Sequence, residues 1–213
     1  MRLMRLPLLI LTLAFAAASQ AEDSPQTRAS YHRTLEEFGV EPNGAGAVKF
    51  LRSLHPSPDQ EEENAALIAQ LADRSFSRRE EAMQQLMTRA NLPAAQLSAA
   101  SASKDPEVRW RARQILKQSE GNSAMVLFAA LKTLTEDRVD GAVKTLIEAL
   151  PFCTQAHLQV AAVDALKSVA RPTDVDALRK TMAVGSAQQR VAAVAALCAI
   201  TPAEQREKLY PWL

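Results

Sequence analysis

The densest group of chemically capable side chains in this sequence is Arg109-Trp110-Arg111-Ala112-Arg113, with Lys104 before it and Lys117 after. Cations around an indole suit a surface that either tracks phosphates or captures a protein partner. Cys153 and His157, four residues apart, would share a helix face, the minimum for a reactive thiol or half a metal site. No third group stands near them, so two ordinary first-turn residues are expected. The three histidines, His32, His55 and His157, have no Asp, Glu or Cys at metal-ligand spacing, and neither a metal nor a cofactor is expected. Glu61-Glu62-Glu63 and Glu80-Glu81 read as solvated helix charge rather than acid/base pairs. Gly44-Ala45-Gly46 lacks the preceding strand that a phosphate loop requires, and no Gly-x-Ser-x-Gly elbow occurs. No catalytic residue is assigned, and the chain is read as a non-enzyme.

The elements that must position these residues are repeated. Four segments align without gaps: Arg78–Leu86, Val108–Leu116, Leu158–Leu166 and Gln189–Leu197. Four residues before each final leucine stands an alanine: Ala82, Ala112, Ala162 and Ala193. A fifth segment, Met125–Leu134, follows the rule with Ala130. Leucine and alanine four apart lie on one helix face, and alanine there lets a neighbouring helix approach closely. From Leu86 through Leu116, Leu134 and Leu166 to Leu197 the anchors are 30, 18, 32 and 31 residues apart. Three intervals fit a helical hairpin, and the short one leaves no room for a partner helix. The Leu134 segment is therefore either an extra helix or an irregular repeat.

Six residues before the anchors stand Glu80, Trp110, Phe128, Val160 and Val191, apolar in four of five positions. This second apolar side predicts helices buried on two faces, as in a stack where each unit packs only on its neighbours. Lys104-Asp105-Pro106-Glu107 supplies a capping acid, a proline at the first helical position and an early acid. Ser123 and Ser186, eleven before Leu134 and Leu197, are expected at the same point of their units. The partner helices are expected near Asn64–Ala72, Pro93–Ala102, Asp140–Leu150 and Asp174–Ala183.

Asp105-Pro106-Glu107-Val108-Arg109 resembles the HEAT-repeat family, particularly the short bacterial HEAT-like repeats of phycobilisome lyases, in which an Asp-Pro turn precedes Val-Arg and an alanine-rich second helix. The full signature occurs once; other units keep the arginine (Arg79, Arg190) or replace it (Gln159), and lack Asp-Pro. The resemblance covers roughly residues 64–200. It implies an all-α solenoid of about four stacked helical hairpins and says little about function.

Thr27–Gly39 and Gly46–Leu54 read as two short helices capping the first repeat, and His55-Pro56-Ser57-Pro58-Asp59 as a turn-rich linker. Glu204–Leu213 begins another helix and stops half a repeat short. Met1–Ala21 carries Arg2 and Arg5, an apolar run from Leu6 to Ala18 and small residues at Ser19 and Ala21, the pattern of a secretory signal. A retained anchor is the alternative. The expected organisation is thus 1–21 signal, 22–58 cap and linker, 59–213 repeat array, with no membrane insertion after cleavage.

The 213 residues are 47% apolar and 23% charged, with 5% aromatics and 6 glycines, a composition of packed helices rather than disorder or β-structure. Cleavage after Ala21 removes two arginines and no acid, so the formal charge of +1 becomes −1. That balance and export argue against nucleic acid. Cys153 and Cys198 would meet an oxidising compartment, and two free thiols are expected. The functional expectation is an exported interaction scaffold that holds a protein partner on its second helices. Arg109, Trp110, Arg113 and Lys117 would lie at the centre, with Arg79 and Arg190 extending the row. The rival expectation is an accessory module of an enzyme complex that holds a small ligand or chromophore, for which a deep pocket lined by His or Cys would speak.

Overall fold

Four of the described α-helices start where a side chain takes up free backbone N–H groups. Asp105 accepts from the Glu107 and Val108 N–H groups at 2.8 and 3.4 Å, with Pro106 at the first helical position. Ser57 with Gln60, and Ser186 with Gln189, form capping boxes. Asn43 accepts from the Gly46 N–H at 2.8 Å. The computed structural model describes residues 25–202; the segments read as a signal and as a terminal half-repeat lie outside them.

The helices are α1 (Pro25–Glu37), α2 (Gly44–Ser53), α3 (Pro58–Gln70), α4 (Phe76–Met87), α5 (Ala94–Ala100), α6 (Pro106–Asp137), α7 (Val143–Ala149), α8 (Ala156–Val169), α9 (Val175–Val184) and α10 (Ala187–Ile200). Two short 3-10 turns, Leu150–Phe152 and Pro172–Asp174, join the later ones, and no strand occurs among the described residues. The protein is all-α there. α3, α5, α7 and α9 each pack on the helix that follows, and α4, α6, α8 and α10 touch one another in that order. These four are called the second helices below.

The alanine column is the seam of this packing. Ala82, Ala112, Ala130, Ala162 and Ala193 are all buried, as are Leu86, Leu134, Leu166 and Leu197, while Leu116 is partly buried against the same core as Ala112. The column six residues before the anchors departs from expectation at three of its four apolar positions, Phe128 alone being packed against the core. Trp110, Val160 and Val191 are 53%, 62% and 67% exposed, because among the described residues no further helix layer covers that side of the second helices. Apolar character alone does not require burial, since much of any folded surface is apolar.

The short interval between Leu116 and Leu134 is resolved by one continuous helix. α6 runs 32 residues, about 48 Å at 1.5 Å per residue, and 18 residues make five whole turns, so both anchors keep one face. Ser123, expected to cap a new helix, therefore lies inside α6. The helix bridges two cores. Val108, Ala112 and Ile115 join Leu67, Leu71, Leu86 and Leu97, whereas Val126, Ala130, Leu131 and Leu134 join the core built by α1, α2 and α7–α10.

The partner missing from the second half of α6 comes from the N-terminal side of the chain. α1 and α2 pack on α6, and α2 also on α7, so they do not cap α3–α4 as the sequence reading placed them. Asp137 ties them there. Its carboxylate accepts from the Gly44 N–H at 2.7 Å and from Arg28 at 2.9 Å, and Arg28 also reaches Glu136 at 3.0 Å. A Cβ on Gly44 would run into Val139, and one on Gly46 into the Glu41 carbonyl oxygen. The two glycines thus admit close packing, and the N–H groups of Gly44 and Gly46 are already used.

Candidate functional site

The run around Trp110 divides by helical period. Val108, Arg111, Ala112 and Ile115 follow the i, i+3, i+4, i+7 spacing of one stripe, and Arg111 is accordingly buried, at 3% exposure. Its guanidinium meets Glu107 at 2.8 Å and Glu80 of α4 at 3.1 Å, and one N–H points at the Met83 sulfur at 3.4 Å. Its centre also lies 5.8 Å from the Phe76 ring and 5.9 Å from the Trp110 indole. Arg79 stands 5.6 Å from Phe76 and 3.5 Å from Glu107. These residues form a charge-matched joint between α4 and α6.

Burial pulls against the Arg111 cation, but hydrogen bonds to Glu107 and Glu80 outweigh it and hold the guanidinium more firmly protonated than usual. On Glu80 the hydrogen bond from Arg111, then that from Gln84, holds the carboxyl below the ordinary glutamate value of 4.5. A depressed carboxyl contributes stability above its unfolded pKa and loses it as pH falls through the folded value. Urea denaturation of the wild type and of Arg111→Met should therefore show a stability difference that is largest above pH 4.5 and narrows below it. A difference independent of pH would mean that packing alone carries the effect.

Arg79 and Arg109 are the same device used twice. Arg79 donates to the Asp73 carbonyl at 2.8 Å and Arg109 to the Ser103 carbonyl at 2.7 Å, six residues back in both cases. Each satisfies a carbonyl in the turn behind its helix, so both arginines, read from sequence as surface for a partner, are engaged in the fold. Arg113 and Lys117 are exposed and have no ionic or hydrogen-bond partner among the described side chains. With Trp110 they form one stripe on α6 at i, i+3 and i+7. Arg190 is likewise exposed, but on α10, which packs with α7, α8 and α9 rather than with α4. It is not brought together with the others. Phe76, 64% exposed at the start of α4, escaped the sequence reading, which took Arg111 as part of the basic run, Glu80 as solvated helix charge and Glu107 as an early helix acid, and did not bring the three together. The Glu107–Arg111 spacing of four was the signal for the ion pair.

A second surface opens between α8 and α10. Leu150, Val160, Val163, Ala187 and Val191, with Gln159, Asp164 and Gln188 at its rim, surround an open groove of about 460 Å³. No histidine or cysteine among the described residues lines it.

Cys153 does not belong to any reactive arrangement. It follows the 3-10 turn instead of lying in a helix, its thiol faces the Ala149 carbonyl at 3.8 Å, and burial pushes its pKa up to about 11. The His157 ring is occupied in an edge contact with Phe128 at 5.6 Å. Both cysteines are free, Cys153 buried and Cys198 half-buried. In native protein near pH 8 a thiol reagent is expected to modify Cys198 first, and Cys153 only after denaturant is added. Equal rates would contradict the burial. No protein-family model matches this chain, and no curated protein matches it either.

Proposed function

We propose that this chain is an exported, non-enzymatic interaction scaffold of stacked HEAT-like hairpins that captures a protein partner on the exposed side of its second helices. The observation that carries this reading is the α6 stripe, where a half-exposed indole stands beside two cations without partners. Tryptophan and arginine dominate the binding energy of protein interfaces, and a half-exposed indole offers apolar area that a partner can cover. Partner contact is assigned to Trp110, Arg113 and Lys117. Arg79 and Arg109 position the helices that present them. The consecutive contacts of α4, α6, α8 and α10 support the stacked-hairpin reading, and the sequence of Met1–Ala21 supports export.

The groove between α8 and α10 is open and lacks His and Cys, which favours a protein-binding surface over the rival reading of a module that holds a chromophore or other small ligand. The test is affinity capture from the exported fraction with the wild type and with Arg113→Glu, a substitution at an exposed site. Partners recovered by the wild type at a given salt concentration should be lost with the variant. An Arg113→Glu protein that melts like the wild type and recovers the same partners at the same salt would remove the α6 stripe from the proposal.

A further inference from the structure

One face of α6 is covered along part of its length by this chain's own α1. Trp110 and Phe128 stand 18 residues, five whole turns, apart and so share that face. At Phe128 it is occupied: Tyr31 of α1 meets the phenyl ring edge-on at 5.7 Å, and Lys132 lies 6.0 Å from the Tyr31 ring. Arg28 of α1 pairs with Glu136 at 3.0 Å and with Asp137 at 2.9 Å. The occupant there is a helix that brings a ring to a ring and a charge to opposite charges. Toward the start of α6 the same face has no cover among the described residues. Trp110 is 53% and Met125 45% exposed, and Arg113, Lys117 and Gly121 are exposed between them. The open run is about 22 Å long at 1.5 Å per residue.

The run itself says what would complete it. Its free charge is positive, because Arg113 and Lys117 have no partner among the described side chains, whereas Glu80 and Glu107 are held by Arg111 and Asp105 caps the helix. Its apolar end is steadied, since the Arg111 guanidinium lies 5.9 Å from the Trp110 indole and 5.8 Å from the exposed ring of Phe76 on α4. Gly121 answers no need of the fold: its φ is not positive, and a Cβ there would meet nothing within 4 Å. A missing side chain in an exposed helix interior leaves room for another backbone to come close.

We propose that this run seats a helix of a partner protein, laid along α6 as α1 is further on, with an apolar side chain on Trp110 and carboxylates facing Arg113 and Lys117. The proposal rests on the reading of the α6 stripe as a partner surface and adds the form and charge of the partner. The cations select the sign of charge, and the indole supplies the apolar contact. Two free cations one turn apart neutralise only about two phosphates, too few for a surface that follows a phosphate backbone.

The probe is a synthetic helical peptide as long as the run, with leucines along one face and glutamates beside them. Controls carry lysines for the glutamates, or the glutamate peptide's residues in scrambled order. Titrated into the full chain labelled at methionine methyls and indole N–H groups, the glutamate peptide should shift Met125 and Trp110 and leave Met182 of α9 in place. It should bind about ten-fold more tightly than the lysine peptide, which is about 1.4 kcal/mol. Arg113→Glu with Lys117→Glu should invert that order. Gly121→Leu should weaken the glutamate peptide by about ten-fold without lowering the thermal melt, since nothing in the chain meets the new side chain. Val191→Asp should leave binding intact, which separates this face from the groove between α8 and α10. Equal response to the scrambled peptide, preference for lysine, or indifference to Gly121→Leu overturns the proposal. So does a short single-stranded oligonucleotide that moves the same signals and binds more tightly, or a shift of those signals with protein concentration alone accompanied by a dimer in sedimentation. Partner capture that is lost with Arg113→Glu while the peptides show no preference would overturn the acidic helix and leave the capture reading standing. Capture indifferent to Arg113→Glu, with peptide binding equally indifferent, removes both.

Discussion

Replacing Ala112 with leucine is expected to lower the stability of this protein by about 1–3 kcal/mol, the usual cost of forcing methylenes into a packed contact. Ala112 is fully buried in the core that contains Leu67, Leu71, Leu86 and Leu97. α6 approaches α5 through this face, and a leucine there must adopt a poor rotamer or push the helices apart. Denaturant unfolding of the wild type and the variant measures the effect through a lower midpoint at unchanged slope. The same substitution at Val160 or Val191, which face solvent, should move the midpoint by no more than about 0.5 kcal/mol. If Ala112→Leu behaved like those exposed sites, the alanine column would not be the seam.

That column was legible before any coordinates, because residues four apart on one face leave a periodic trace in sequence. The helix starts at Asp105 and Ser186 were legible for a similar local reason: a cap is chosen by side chains within three residues of it. The partner helices likewise fall close to α3, α5, α7 and α9. What failed to show was anything set by a surface rather than by a period. Trp110, Val160 and Val191 repeat as faithfully as the buried alanines. Their exposure depends on the absence of another layer, and no local pattern states that. The position of α1 and α2 was hidden as well. It is decided by contacts about 90 residues apart, such as Gly44 with Asp137.

The candidate site was half legible for a related reason. Arg109, Arg111 and Arg113 look alike in a basic run, yet each successive residue turns about 100° around a helix. The three consequently reach a turn carbonyl, a pair of half-exposed carboxylates and solvent respectively. Reading the run as one patch overestimated its free charge. The stripe that remains available is Trp110, Arg113 and Lys117, and Arg190 belongs with a different surface.

The second large effect concerns Gly121, in the part of α6 between the two cores. The sequence reading expected a helix start at Ser123, two residues further on, whereas the helix passes through both positions. Gly121 is exposed and a Cβ there would meet nothing within 4 Å, so the glycine costs helix propensity without any packing gain. Gly121→Ala should accordingly stabilise the protein by about 0.8–1 kcal/mol. Gly121→Pro should do the reverse, and more strongly. It deletes one hydrogen bond of the helix and sets the pyrrolidine ring against the carbonyl four residues back, at a cost of about 3 kcal/mol or more. Ser119 already bonds back to the Ile115 carbonyl at 2.6 Å, which favours a bend at this place. Apart from α6 and the short chain between α2 and α3, the cores are linked among the described residues by the packing of Ala90 and by the hydrogen bond from Asn91 to the Ser53 carbonyl. With so little besides the helix to transmit unfolding from one core to the other, the proline variant should melt in two separable transitions where the wild type melts in one. In a Trp212→Phe background, the fluorescence of Trp110 should report only the transition of the core that contains Val108 and Ala112. A proline variant that still unfolds in a single transition with an unchanged midpoint would show that α6 does not hold the two cores together.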